Sequence, residues 1–149
     1  MRCVVQRVSR AHVSVDGITV GSIGAGFVAL VGAEAGDTLE DMRYSADKII
    51  GLRVFDDDAG KMNLSIKEAG GAILLISQFT LMGDARRGRR PSFSRAARPE
   101  DAGPMLDQMA EYIAAAGITV EGGRFQAHMA VELVNDGPVT ILLDSKKTF

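Results

Sequence analysis

The sequence has no tryptophan and few other aromatic residues, so its interior must be built mainly from aliphatic side chains. A chain of 149 residues, 46% of them hydrophobic, is long enough to bury a substantial core and suits a single domain, residues 1–149. Cys3 is the lone cysteine, which excludes an internal disulfide and favours a reducing compartment. No apolar run approaches the roughly 18 residues of a membrane span. The N-terminal stretch is too short and too interrupted for a signal peptide, so we expect a cytoplasmic protein without membrane contact.

The sequence also lacks the usual patterns of metal and nucleotide chemistry. No His/Cys cluster has metal-ligand spacing and no glycine-rich phosphate loop is present, so we expect neither a metal nor a cofactor. His12, Ser14 and Asp16 alternate along one predicted strand, and such a row does not converge as a catalytic triad must. His128 is expected on the outer face of another strand. Neither histidine is therefore a convincing general base.

The net charge of −2 argues against nucleic-acid binding until its distribution is considered. Residues 85–98 contain six arginines and no acidic residue, so the rest of the chain carries −8. Two arginine pairs flank Gly88: Arg86, Arg87, Arg89 and Arg90. A solvated loop is the plainer interpretation, but arginine forks also match phosphate groups. Phe93 is the lone aromatic residue of this run, which favours phosphate contact over base stacking.

Hydrophobic periodicity and turn signals predict a β-rich α/β domain. Strands are predicted at residues 4–15, 18–23, 27–31, 52–55, 72–76, 125–134 and 139–143, with turns at 16–17 and 135–138. One helix is predicted from a cap at Asp37 or Thr38 to Gly51, and another from Pro99 to about residue 116. The apolar run 27–31 is typical of a central strand buried on both faces. We expect a mostly antiparallel, barrel-like sheet with two helices packed outside.

Polar residues follow one apolar strand directly, at Ser77, Gln78 and Thr80. An ordinary passage from strand to loop explains the spacing by itself. Backbone N–H groups leaving a sheet can also stabilise the oxyanion that forms when an ester carbonyl is attacked. The Thr80 hydroxyl is a weak nucleophile, and no base is evident near it in the sequence.

The run NDGPVT at residues 135–140 is the second unusual feature. Its residues are good turn formers, so a tight hairpin turn is a sufficient explanation. Gly137-Pro138 can also hold a cis bond, which is a fixed feature where it occurs. A rigid pair of backbone carbonyls at that point can distinguish the two hands of a bound amino acid.

With SQFTL at residues 77–81 and NDGPVT at 135–140, the chain resembles the D-aminoacyl-tRNA deacylase family. The resemblance extends over essentially the whole length, including VVQRVSRAHVSVDG, IGAGFVALVG, GKMNLSI and RGRRPSF. It implies a homodimer with active sites at the subunit interface, where Ser77 to Leu81 line a pocket for the aminoacyl-adenosine end of tRNA. It also implies that Gly137-Pro138 of the partner subunit enters this pocket in the cis form, with Arg7 holding the loop.

The reaction implied by the resemblance is hydrolysis of D-aminoacyl-tRNA to free tRNA and a D-amino acid. The amides of Phe79 and Thr80 would stabilise the oxyanion, and the ribose 2′-OH would position the attacking water, with the Thr80 side chain as a rival nucleophile. The carbonyls of Gly137-Pro138 would exclude L side chains, and glycyl-tRNA would also be accepted. Two alternatives stay open: a non-catalytic tRNA- or RNA-binding module, and an editing domain related to that of archaeal threonyl-tRNA synthetase.

Overall fold

The computed structural model describes residues 1–149 and contains eight strands, two α-helices and one 3₁₀ turn. The strands are β1 (Arg2–Val15), β2 (Ile18–Ile23), β3 (Gly26–Gly32), β4 (Phe55–Asp56), β5 (Met62–Leu64), β6 (Ala72–Ser77), β7 (Val120–Gly122) and β8 (Ala130–Asp144). The helices are α1 (Leu39–Gly51) and α2 (Pro99–Ala115), and the 3₁₀ turn covers Phe79–Met82. Neither helix is both long and apolar enough to cross a membrane.

Strand β1 is the centre of the main sheet. On one side it pairs with β8 along residues 2–14, and on the other it pairs with β3 and then with β2, always antiparallel. Strands β3, β6 and β7 continue the sheet in parallel, and β2 contacts β7. The sheet therefore nearly closes into a barrel, and most of its pairings are antiparallel, as the sequence predicts.

Two hydrophobic clusters lie on the two faces of this sheet. The larger one joins the sheet to both helices, with Phe27, Ile49 and Met109 fully buried. The smaller one fills the inside of the curved sheet and includes Val13 and Leu74. Strand β3 contributes to both clusters, which confirms the prediction of a central strand buried on both faces.

The helix boundaries follow the predicted local signals. The Thr38 hydroxyl accepts a hydrogen bond from the Asp41 amide at 3.4 Å, and the Asp41 carboxylate accepts one from the Thr38 amide at 2.9 Å. This reciprocal pair is a capping box at the start of α1. Pro99 is the first residue of α2, a position whose N–H would have no acceptor within the helix, so proline costs no hydrogen bond there. Gly117 follows the end of the helix with φ +87°.

Two strand predictions and one turn prediction need correction. The strand predicted at residues 125–134 begins only at Ala130, because residues 125–129 form a turn and a loop. Residues 135–138 do not reverse the chain, since β8 continues through them and shifts register against Gln6 and Val8. The strand predicted at 52–55 is reduced to Phe55–Asp56.

Candidate active site

The five residues Ser77 to Leu81 lie where β6 leaves the sheet and the chain tightens into the 3₁₀ turn. The Gln78 amide donates to the Val31 carbonyl at 2.8 Å, which holds the start of the turn against β3. Within the turn, Leu81 N donates to Gln78 O and Gly83 N to Thr80 O. The amides of Phe79 and Thr80 open the turn and have no acceptor within it. Two neighbouring N–H donors are thus available to a ligand.

The turn packs tightly on Gly32 of β3. A Cβ atom at position 32 would lie 2.7 Å from the Gln78 carbonyl oxygen and 3.2 Å from Leu81 Cβ. Any side chain there would displace the turn, so the absence of a side chain at Gly32 sets how closely the turn approaches the sheet.

A cavity of about 680 Å³ opens beside the turn. Its lining is mostly hydrophobic and includes Phe79, Phe93, Leu106, Phe125 and Met129. Such a volume is in the range of sites for small ligands, roughly 300–1,000 Å³. His128 is the one titratable side chain in the lining, so this cavity offers very few groups for acid or base chemistry.

Thr80 is not among the residues that line this cavity, although its neighbours Ser77, Gln78 and Phe79 are. Its hydroxyl oxygen accepts a hydrogen bond from the Gln78 side-chain amide. An amide donor does not remove a proton, so this contact does not activate the hydroxyl as a nucleophile. Burial raises the pKa of the Cys3 thiol to about 12, which makes it unreactive as well.

Gly137 and Pro138 lie in the irregular middle of β8 and are exposed, and the peptide bond between them is cis. Arg7 holds this segment from β1 while itself only 7% exposed. Its Nε donates to the Asp136 carbonyl at 3.1 Å, and its Nη1 donates to the Val54 carbonyl at 2.7 Å. Asn135 Oδ1 accepts from the Val139 amide at 3.1 Å and closes the segment from the other side.

The structure does not bring the two motifs together within one chain. Ser77 aligns with Val31, Val31 aligns with Cys3, and the Gly137 segment lies opposite Arg7. Three strand spacings separate β6 from β8, about 14 Å, and four residues separate Cys3 from Arg7, about 13 Å. The motifs are therefore about 20 Å apart along the sheet.

A model of the family described as D-Tyr-tRNA(Tyr) deacylase matches residues 4–144. The chain belongs to this family. Similar proteins include a D-aminoacyl-tRNA deacylase of Symbiobacterium thermophilum, 62% identical over all of this chain and 99% of that one. A D-aminoacyl-tRNA deacylase of Thermoanaerobacter sp. is 56% identical over the full length of both chains.

Solved structures agree with the fold of this deacylase-family chain. The structure of "c-Myc DNA Unwinding Element Binding Protein" superposes with a TM-score of 0.91 at 37% identity and covers 97% of this chain and 98% of its own. A structure described as a "probable eukaryotic D-amino acid tRNA deacylase" superposes with a TM-score of 0.80 at 17% identity over 96% of this chain and 98% of its own. The second likeness concerns the fold alone.

In this family member the arginine-rich run lies in an exposed loop beyond the turn. Arg86 is engaged by its neighbour, because its Nη2 lies 2.5 Å from Asp84 Oδ2. Hydrogen bonds from the Arg86 side chain and amide hold the pKa of the Asp84 carboxyl well below its usual range. Arg87, Arg89 and Arg90 are exposed and form no ion pair with an acidic side chain. Of the four arginines singled out in the sequence, these three are free to meet an anion.

The sequence did not point to the far wall of the cavity. Phe125 to Met129 supply that wall, and His128 lies among them in a loop rather than on the predicted strand. The glycine pair before Phe125 was the available signal for a loop, but the apolar residues that follow favoured a strand. His12 faces Glu132 at 3.6 Å on the sheet surface, and Asp16 lies in the β1–β2 turn with φ +51°.

Proposed function

We propose that this chain hydrolyses the ester bond of D-aminoacyl-tRNA, releasing tRNA and the D-amino acid. The observation that carries the proposal is the pair of unpartnered amides, Phe79 and Thr80, at the edge of a cavity with almost no titratable groups. Such a site favours a reaction in which the protein stabilises developing negative charge. Membership of the deacylase family supports the same reaction.

The chemistry follows from what the cavity offers. Attack of water on the ester carbonyl places a negative charge on its oxygen, and the amides of Phe79 and Thr80 stabilise that charge where it develops. The substrate's own ribose 2′-OH takes the proton of the water and passes its own proton to the neighbouring 3′-oxygen, which departs as the ester C–O bond breaks. We assign this relay to the substrate because the lining holds no carboxylate or cysteine and only one titratable side chain, His128. Ser77 and Gln78 line the entrance beside Phe79 and contact the terminal nucleoside.

Thr80 as a nucleophile ranks second. Its hydroxyl accepts from Gln78 and is not part of the cavity lining, and a threonine hydroxyl without a base reacts slowly. Its backbone amide, which a substitution to alanine retains, is the group that acts in the proposed mechanism.

Selection of the D-enantiomer is assigned to Gly137 and Pro138 of a second copy of the chain. Within one chain the segment is exposed, about 20 Å along the sheet from Ser77, so it cannot serve that chain's own cavity. In a homodimer the Gly137 and Pro138 carbonyls enter the partner's cavity and occupy the position that an L side chain needs. A D side chain points away from them, and glycine, without a side chain, is also accepted.

Transfer RNA is held partly through the exposed arginines. Arg87, Arg89 and Arg90 lie near the turn in sequence and carry no competing acidic partner, whereas Arg86 is occupied by Asp84. Their guanidinium groups contact backbone phosphates, which contribute affinity without reading base sequence.

The test is single-turnover deacylation of D-tyrosyl-, L-tyrosyl- and glycyl-tRNA by the wild-type chain, Thr80→Ala and Thr19→Ala. Thr19 is exposed on β2 and serves as a matched control. We expect fast hydrolysis of the D and glycyl esters, negligible hydrolysis of the L ester, and less than about a threefold loss in Thr80→Ala. A loss of about a thousandfold in Thr80→Ala alone makes Thr80 the nucleophile. Binding of tRNA without hydrolysis by the wild type favours the binding-module alternative.

A further inference from the structure

Arg2 contacts the 3₁₀ turn near its last residue, at the end opposite to the free amides of Phe79 and Thr80. Its Nη1 donates to the Leu81 carbonyl at 3.2 Å, across 79 residues of sequence. The Arg2 side chain is 22% exposed, and its Nε is buried without a hydrogen bond. The Leu81 carbonyl is therefore the one hydrogen-bond acceptor that this guanidinium meets.

The position of the guanidinium is set by Asp144 at the end of β8. Arg2 Nε lies 3.8 Å from Asp144 Oδ2, and the Asp144 side chain is only 2% exposed. The carboxylate in turn accepts from the Lys146 amide at 3.0 Å and from the Thr148 hydroxyl. A buried carboxylate with several donors has little freedom, so it fixes the direction in which Arg2 points.

The contacts at the two ends of the turn are of different kinds. The first end is fixed by backbone contacts to β3, through Gln78 N and the close approach to Gly32. The last end is fixed at the Leu81 carbonyl by a charged side chain. Phe79 between them is 55% exposed and meets the Phe93 ring edge-on, whereas Met82 at the last end is buried beside the Arg2 contact.

We propose that Arg2, oriented by Asp144, is a positioning residue that keeps the amides of Phe79 and Thr80 aligned with the developing oxyanion. The inference rests on the proposed function, because it concerns the same two amides. Loss of alignment weakens stabilisation of the transition state while leaving the cavity lining in place. The turnover number should therefore fall and KM should stay nearly constant.

The experiment compares Arg2→Met with Arg10→Met in the full chain. Arg10 is exposed on the same strand and its side chain makes no hydrogen bond or ion pair, so it controls for loss of an arginine from β1. We expect kcat for D-tyrosyl-tRNA to fall about tenfold in Arg2→Met with KM within about twofold, and neither to change in Arg10→Met. Arg2→Lys, which keeps a charged donor, should recover part of the rate.

Amide hydrogen exchange supplies a readout that does not depend on activity. We expect the amides of Leu81 and Gly83 to exchange about tenfold faster in Arg2→Met than in Arg10→Met. Unchanged kcat together with unchanged exchange, or a rise in KM at constant kcat, overturns the role of Arg2. Wild-type protein that fails to hydrolyse the D ester contradicts the proposed function instead, and the exchange rates still decide whether Arg2 holds the turn. If Arg2→Met does not fold, Arg2→Gln replaces it in both measurements.

Discussion

The turn at Phe79–Met82 and the segment at Gly137–Pro138 both present backbone groups, but the chain holds them differently. The turn lies beside a cavity of its own chain and is fixed at both ends by strands of the main sheet. The Gly137–Pro138 segment is exposed, and its main support is the single buried side chain of Arg7. The first region is suited to chemistry in its own chain, and the second to contact with another molecule. Changes at the segment should therefore alter selectivity, and changes around the turn should alter rate.

The largest expected effect comes from Gly137→Ala. Gly137 has φ +127°, a conformation that side chains disfavour, and a Cβ there would lie 2.8 Å from Val139 Cγ2 and 3.2 Å from Arg7 Nη2. The segment must shift, so we expect the ratio of D to L deacylation rates to fall about 100-fold or more, a loss of roughly 2.7 kcal/mol in discrimination. Parallel single-turnover assays of both esters measure it.

Gly36→Ala is the control for backbone strain alone. Gly36 also has positive φ, at +85°, but a Cβ there meets nothing within 4 Å. We expect the D/L ratio to be unchanged in this variant. Equal loss of discrimination in both variants would mean that general destabilisation, and not the Gly137 segment, controls selectivity.

Arg7→Met should have the next largest effect. It removes the hydrogen bonds that Arg7 donates to the Asp136 carbonyl and to the Val54 carbonyl. We expect about a tenfold loss of D/L discrimination and a decrease of about 1–3 kcal/mol in the free energy of unfolding, because two carbonyls lose their partners. Urea denaturation and the same ester assays test both. Arg7→Lys should recover little, since one ammonium group does not reproduce the two-directional guanidinium contact.

A third change removes charge from the exposed arginine-rich loop. There we expect the affinity for tRNA, and not the choice between D and L esters, to depend on charge. Replacing Arg87, Arg89 and Arg90 together by alanine should raise KM for tRNA about fivefold at physiological salt, with kcat and the D/L ratio unaltered. The slope of log KM against log salt should flatten by about two units, as three phosphate contacts are lost. Arg86→Ala is the matched control, because Asp84 already occupies that guanidinium, and an equal effect there would contradict the division among the arginines.

The smallest expected effect is a change in how the free energy of unfolding depends on pH, through Asp144, the carboxylate that orients Arg2. Burial raises the pKa of Asp144, but hydrogen bonds from Thr148 and Lys146 outweigh it and leave the pKa below the ordinary value of 3.8. A lowered pKa in the folded state adds stability above the unfolded value, and this stability is lost as the pH falls through the folded value. Asp144→Asn should cost about 1 kcal/mol at pH 7, and the difference from wild type should narrow below about pH 4.

Unfolding measured by denaturant between pH 7 and pH 3 checks this dependence. Asp58→Asn, at an aspartate whose side chain forms no hydrogen bond or ion pair, is the matched control variant. A difference between Asp144→Asn and wild type that stays constant over this pH range would contradict the assignment.

Elements with local signals were predictable from the sequence. The capping box at Thr38 and Asp41 and the proline at the start of α2 lie within a few residues of the boundaries they set. The three-residue strands β5 and β7 were missed because they are too short to show periodicity. The 3₁₀ turn was missed because its tightness depends on Gly32, a residue of another strand.

The continuity of β8 through residues 135–138 could not be predicted from the local sequence either. Asn135 to Pro138 are good turn formers, and the sequence gives no sign that Arg7, 129 residues away from Asp136, holds them within a strand. The site motifs were found through family resemblance, since spacing alone favoured ordinary loops. The contact of Arg2 with Leu81 and Asp144 had no sequence signal at all, because it joins three segments that meet only in the folded sheet.

Strand β1 carries both Arg2 and Arg7, and this has a consequence for how the chain tolerates insertions. The two arginines are five residues apart, so they lie about 17 Å from each other and their side chains leave opposite faces of the sheet. A one-residue insertion between them would reverse the face of one arginine, and a two-residue insertion would restore the face but lengthen the spacing by about 7 Å. The length of this one strand therefore fixes the distance between the Arg2 contact with the turn and the Arg7 contact with the Gly137–Pro138 segment.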